Sequence, residues 1–96
     1  MTSHVAKATV LTEEEIRAGW SYVVSLRRGE KTTRHRVRLA WVDHDHWSGG
    51  RFPPSLVIER LIELLAEMEA DIPEHFDAST ARRWRPGLDD HLTARL

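Results

Sequence analysis

Two imidazoles and two carboxylates stand next to one another in the middle of the chain, at Asp43, His44, Asp45 and His46. Side chains of these types bind Zn²⁺, Mn²⁺ or Fe²⁺. If the strand before them continued, its alternation would put His44 and His46 on one face, within reach of one ion. A third ligand would come from His35 or His75. The residue types therefore allow a divalent transition metal and a metal-dependent enzyme, although the spacing matches no established metal motif.

A row of three arginines offers a different chemistry, the binding of anions. Arg34, Arg36 and Arg38 (the arginine row) occupy alternate positions, so a strand would place all three on one face. Such a face can contact another protein, or it can attract the phosphates of a single-stranded nucleic acid whose bases stack on neighbouring rings. The nearby aromatic residues are expected to face the core instead: Trp20, Tyr22 and Trp41. The chain also carries no RNA-binding signature.

The segment 41–54 joins a strand to a helix and allows four interpretations. Besides the metal site, residues 48–51 (Ser-Gly-Gly-Arg) could bind an anion before the helix, but the two prolines that follow remove N–H donors. A structural connection, held to the core by its two tryptophans, needs no ligand. Alternatively, Trp47 is exposed and contacts a partner together with Arg51.

No catalytic set of side chains assembles from the sequence. The serines lack a Gly-x-Ser-x-Gly context, and nothing places two carboxylates around a substrate. The chain contains no cysteine, which excludes thiol nucleophiles, disulfides and Cys-ligated metals. We therefore do not expect an enzyme.

Two alternating runs predict the hairpin that carries the arginine row. The first covers residues 20–28, and the second covers residues 32–42 after a polar turn that contains Gly29. One face of this hairpin is expected to meet the core, and the other to expose the arginines to water.

A hairpin packed on one helix would leave sheet edges exposed. We therefore expect either a third strand over residues 5–11 or edge pairing in a homodimer. Residues 12–15 (Thr-Glu-Glu-Glu) also fit a capping box that would begin a short helix, or they form a simple connection.

One long helix is predicted over residues 54–70. Prolines suit its first turn, and apolar residues recur at spacings of three and four. Glu59, Glu63 and Glu67 form a ridge on the side opposite to these apolar residues. The helix is expected to lie across the apolar face of the hairpin. After Pro73 we expect a loop and then short C-terminal helices, the first over residues 80–84.

Length and composition bound the remaining possibilities. The 96 residues, 41% hydrophobic and 30% charged, predict a single α+β domain spanning 1–96 with flexible ends at 1–4 and 93–96. The net charge is −1, but residues 17–51 carry +5 and residues 52–96 carry −4. Twelve of the 14 basic residues are arginine, and Asn and Gln are absent, as in a GC-rich bacterial coding sequence. No apolar run could span a membrane and no secretory signal is recognisable, so a cytoplasmic location is expected.

These observations favour a small protein-binding adaptor module. Its partner-binding residues would be Arg34, Arg36, Arg38, Trp47 and Arg51. The alternatives are a nucleic-acid-binding protein that uses the arginine row and a metal-dependent enzyme that uses the Asp-His-Asp-His segment.

Overall fold

The computed structural model describes residues 5–96, which form a four-stranded sheet packed with helices. The strands are β1 (Ala6–Ile16), β2 (Gly19–Arg28), β3 (Lys31–Ala40) and β4 (His75–Asp77). The helices are α1 (Trp41–Ser48), α2 (Pro54–Glu67) and α3 (Leu88–Arg95), with a 3-10 helix at Ala78–Arg83. The predicted α+β class is confirmed. The flexible end predicted for residues 1–4 lies outside the described residues.

The order of strands in the sheet follows the chain, β1-β2-β3-β4. The first three strands form an antiparallel meander, and β4 adds to β3 in parallel. The sequence analysis missed β4 and predicted a loop there, because three residues are too few to show an alternating pattern.

The predicted hairpin is confirmed, with β2 and β3 paired along their whole length. Gly29 has φ +62° at the first position of the two-residue loop, a conformation that a type II′ turn requires and glycine adopts without strain. Strand β3 ends at Ala40 and not at the predicted residue 42, because Trp41 begins α1. The expectation that Trp41 faces the core is wrong, since this residue is 54% exposed.

The predicted third strand is also confirmed, and it extends beyond residue 11 to Ile16. Its register against β2 shifts between Val10 and Thr12, which marks a β-bulge. Residues 12–15 belong to this strand, so the capping-box interpretation is wrong. The pairing of Glu15 with Trp20 shows that β-sheet hydrogen bonding prevails there over local helix capping.

Helix α2 covers one face of the sheet, which we call the inner face. The main core side chains come from the helix and from β2 and β3: Tyr22, Val24, Leu26, Val37, Leu39, Val57, Ile58, Leu61, Ile62 and Leu65. The helix ends in a Schellman motif, in which the N–H of Ala70 donates to the carbonyl of Leu65 and that of Glu69 to the carbonyl of Ala66. The predicted helix is confirmed, and it stops at Glu67 instead of residue 70.

Helix α1 occupies most of a segment that was expected to be a loop. The eight residues WVDHDHWS show almost no amphipathic periodicity, which is why the sequence did not reveal the helix. It ends at Gly49, whose φ of +62° takes the left-handed conformation and whose N–H donates to the carbonyl of Asp45.

The C-terminal residues form the predicted short helices. The 3-10 helix begins after Asp77, whose carboxylate accepts a hydrogen bond from the Ser79 N–H. Residues 93–95, expected at a flexible end, belong to α3, and Arg95 pairs there with Glu67 of α2. Within residues 5–96, every helix is too short or too polar to cross a membrane.

Candidate partner-binding face

The arginine row lies on the face of the sheet opposite to α2, which we call the outer face. Arg34, Arg36 and Arg38 are all exposed, whereas the residues between them, His35 and Val37, are buried. The alternation along β3 therefore works as the sequence predicted: one set of side chains fills the core and the other meets water.

Small side chains of β2 lie beside the three arginines. Arg34 pairs with Ser25, Arg36 with Val23 and Arg38 with Ser21. Directly paired residues point to the same side of a sheet, so these β2 side chains form the floor between the longer arginines. Val23 and Ser25 are half-buried and Ser21 is buried. The centre of the outer face is thus formed by short polar and apolar side chains of β2, and the longer arginine side chains project above them.

The outer strands add charge of both signs to this face. Lys7 pairs with Arg27, and both are exposed cations on the same side as the arginine row. Glu14 pairs with Ser21, and Asp77 of β4 pairs with Arg38. Five cations and two carboxylates of the strands therefore occupy the outer face, and Glu74, just before β4, adds a third carboxylate beside Arg34 and Arg36. The cations still outnumber the carboxylates, which gives this face a positive potential within a chain whose net charge is −1.

A groove follows β3 along the outer face, and we call it the β3 groove. It consists of three adjoining depressions of about 130, 280 and 170 Å³. Arg36 and His75 line both the first and the second, and Arg38 and Asp77 line both the second and the third. Because neighbouring depressions share side chains, they adjoin one another along β3, with an arginine at each boundary between them.

The phenyl, phenol and indole rings of the described strands lie on the inner side of the sheet, and the imidazole of His75 lies on the outer side. Tyr22 is fully buried, and its hydroxyl donates to the Glu13 carboxylate at 2.7 Å. Burial, together with this bond, raises the pKa of Tyr22. Phe76 packs against Trp84, with ring centroids 5.2 Å apart. The strands of residues 5–96 thus offer no stacked-base platform beside the arginine row.

Trp47 lies in the core and not on an exposed loop. Its side chain is only 2% exposed, and its indole N–H donates to Asp89 at 2.6 Å. The guanidinium of Arg82 lies over the ring, 4.8 Å from its centroid. The expectation that Trp47 presents a contact surface is therefore wrong, because α1 turns the residue inward. Trp47 instead fastens α1 to α3.

An ion-pair cluster surrounds this tryptophan. Arg82 lies between two carboxylates, at 3.1 Å from Asp43 and 2.8 Å from Asp89. Burial alone would raise the pKa of Asp89, but hydrogen bonds from Trp47 and Arg82, with the charge of Arg82, lower it. The sequence analysis missed Arg82 and Asp89, because their partners are remote in the sequence.

The four proposed metal ligands do not converge. Asp43 pairs with Arg82, and Nε2 of His44 donates to the carbonyl of Phe52 at 2.6 Å. His46 lies 3.6 Å from Asp89. The metal hypothesis required His44 and His46 to share one face of a strand, and this expectation is wrong because residues 41–48 are helical. On a helix, side chains two positions apart point in directions that differ by about 200°. Across residues 5–96, no group of three or more His, Asp or Glu side chains is arranged to hold a metal ion.

The two suggested third ligands are also apart from this segment. His35 is buried, and its ring is engaged at both nitrogens, with Nδ1 donating to the Pro73 carbonyl at 2.7 Å and Nε2 bonded to the Thr33 hydroxyl at 2.8 Å. His75 is exposed on β4, in the β3 groove. His35 therefore ties β3 to the segment that leads into β4.

Arg51 occupies a different region from the arginine row. It is exposed in the connection between α1 and α2, and its guanidinium lies 5.8 Å from the centroid of the Phe52 ring. Its backbone N–H donates to the carbonyl of Ser48. Arg51 does not line any of the three depressions of the β3 groove. The structure therefore brings Arg34, Arg36 and Arg38 together and leaves Arg51 outside that group.

Comparison of the chain with protein-family models, curated proteins and solved structures found no significant match. Function must therefore be inferred from the geometry of the chain itself. The outer face can neutralise negative charge over an extended area, and it has a low floor that a partner can approach closely.

Proposed function

We propose that this protein is a cytoplasmic adaptor module that binds an acidic partner protein through the outer face of its sheet. The single observation that carries the proposal is the exposure of Arg34, Arg36 and Arg38 on a sheet face that α2 does not cover. Each guanidinium can form a bidentate contact with a carboxylate. The half-buried Val23 between them supplies apolar contact area, as the centre of a protein interface does.

A protein fits this face better than a nucleic acid does. Two carboxylates, Glu14 and Asp77, lie on the same face as the arginine row, and a protein partner can meet them with cations of its own, whereas a phosphate backbone carries none. Single-stranded nucleic acids also gain much of their binding from stacking on aromatic rings, and across the described strands the outer face offers only the imidazole of His75. Mixed charges around a partly apolar centre are typical of a protein-binding surface.

The test is affinity capture from a lysate of the source organism, with and without nuclease. Four baits are used: the wild-type chain, Arg36→Glu, Arg83→Glu and a bead control. Arg83 is an exposed arginine on the 3-10 helix and is the matched control for charge reversal. We expect a defined protein that the wild type and Arg83→Glu retain, that Arg36→Glu loses, and that survives nuclease.

Two results would overturn the proposal. Capture that collapses after nuclease would assign the arginine row to a nucleic acid. Capture that Arg36→Glu leaves unchanged would show that the partner binds elsewhere on the chain.

A further inference from the structure

We infer that the β3 groove binds an extended segment of the partner that carries an acidic residue at every second position. This inference rests on the proposed function, and it adds the conformation and the sequence pattern of the bound segment. It follows from the spacing of the cations and the shape of the groove.

The spacing of the arginine row matches an extended chain. Alternate residues of a strand lie about 6.8 Å apart, so Arg34, Arg36 and Arg38 present charge at this interval. An extended segment with acidic residues at every second position repeats at the same interval and turns all its carboxylates to one side. The turns of an α-helix repeat every 5.4 Å, so acidic residues along one face of a helix do not match the spacing of the arginine row. The cations are therefore in register with an extended segment.

The groove is shaped for a single chain. The first two depressions lie beside β4 and the third lies beside the turn between β1 and β2, and none exceeds about 280 Å³. A helix with side chains is about 10 Å across, which requires a wider trough.

The groove is not uniformly basic, because it also contains carboxylates. Asp77 lies opposite Arg38, and its carboxylate already accepts hydrogen bonds from the backbone N–H and the hydroxyl of Ser79. Glu74 lines the first depression together with Arg34 and Arg36. A carboxylate therefore lies near both ends of the arginine row, and neither end is favoured over the other for an acidic residue of the bound segment.

The experiment compares two synthetic peptides of identical composition, both blocked at their ends. One alternates serine and glutamate (SESESES), and its isomer clusters the glutamates (SSEEESS). Binding to the full chain is followed by NMR titration at low salt, with oligo-dT as a third probe. We expect the alternating peptide to bind about fivefold more tightly, because one more carboxylate is paired. Arg36→Gln should abolish this preference, and Arg83→Gln should retain it.

The outcomes separate this inference from the proposed function. Equal affinity for the two isomers, or no binding of either while lysate capture still depends on Arg36, would overturn the extended-segment inference alone. Tighter binding of oligo-dT than of both peptides, with capture that is lost on nuclease treatment, would overturn both proposals. A preference for SESESES that Arg36→Gln removes would support the inference.

Discussion

The backbone N–H of Ala8 donates a hydrogen bond of 2.9 Å to the carboxylate of Glu63, 55 residues further along the chain. The N–H of Val10 makes the same bond with Glu59. Both N–H groups belong to the edge strand β1, on the side that faces away from β2. Helix α2 therefore blocks this edge with its own carboxylates. Free edge groups are templates for pairing with a second chain, so this arrangement opposes the homodimer that the sequence allowed through this edge.

Removal of the Glu63 carboxylate should weaken the fold and leave an N–H group at the edge of β1 without its partner. We expect Glu63→Ala to lower the free energy of unfolding by about 1–3 kcal/mol, because the Ala8 N–H loses its partner. Self-association should also rise with concentration. Glu63→Gln keeps an acceptor oxygen and should lose less stability. Chemical denaturation and analytical ultracentrifugation measure the two effects. A monomeric Glu63→Ala variant with wild-type stability would show that the edge does not need this carboxylate.

The same two glutamates show what the sequence could predict and what it could not. Their four-residue spacing predicted that they share one side of α2, and this is correct. It did not reveal that Glu59 and Glu63 turn toward β1, because contacts between remote segments leave no local pattern. The arginine row was predictable for the opposite reason: the alternation along one strand determines its face. Trp47 was misplaced because eight residues with little periodicity concealed α1.

The end of α2 carries backbone strain that a single substitution can relieve. Glu69 has φ +57° at the position after the helix cap, where glycine is preferred. The left-handed conformation costs other residues about 1–2 kcal/mol, part of which glycine loses again through a more flexible unfolded chain. Glu69→Gly should therefore raise the free energy of unfolding by about 0.5–1 kcal/mol in urea denaturation. Glu69→Ala keeps the strain and serves as the control, which should show no such gain.

Acid should weaken the contact between the 3-10 helix and α3. Arg82 and Trp47 hold the folded-state pKa of Asp89 below its ordinary value of 3.8. A depressed carboxyl pKa contributes stability that is complete above the unfolded-state value and is lost as pH falls through the folded-state value. Asp89→Asn should thus be less stable than the wild type by up to about 1 kcal/mol near neutral pH, since the site is partly exposed. The difference should shrink below about pH 3.8.

The measurement for Asp89 is urea denaturation at a series of pH values. Asp90→Asn is the matched control, because Asp90 is an exposed neighbour on the same helix. A deficit of Asp89→Asn that stays constant from neutral pH to well below pH 3.8 would contradict an electrostatic origin.

Substitution of Trp47 should damage the fold. Replacement of a buried tryptophan by alanine costs about 3–5 kcal/mol, which is a large share of the stability of a small domain. Trp47→Ala is therefore expected to be largely unfolded by circular dichroism. Trp47→Phe keeps a ring beneath Arg82 but loses the hydrogen bond to Asp89 and part of the buried ring volume, so it should fold with a deficit of about 2–3 kcal/mol. A folded Trp47→Ala variant with wild-type stability would contradict the placement of this residue in the core.

The arginine row should be dispensable for folding. Arg34, Arg36 and Arg38 are exposed neighbours of like charge, and such neighbours repel one another. Conversion of all three to glutamine should thus change the free energy of unfolding by no more than about 0.5 kcal/mol in urea denaturation. Arg82→Gln, which breaks two ion pairs, is the contrasting variant and should lose more stability. A loss above about 1 kcal/mol in the triple variant would mean that the row supports the sheet. Unchanged stability together with lost partner capture would separate the binding role of these arginines from any role in folding.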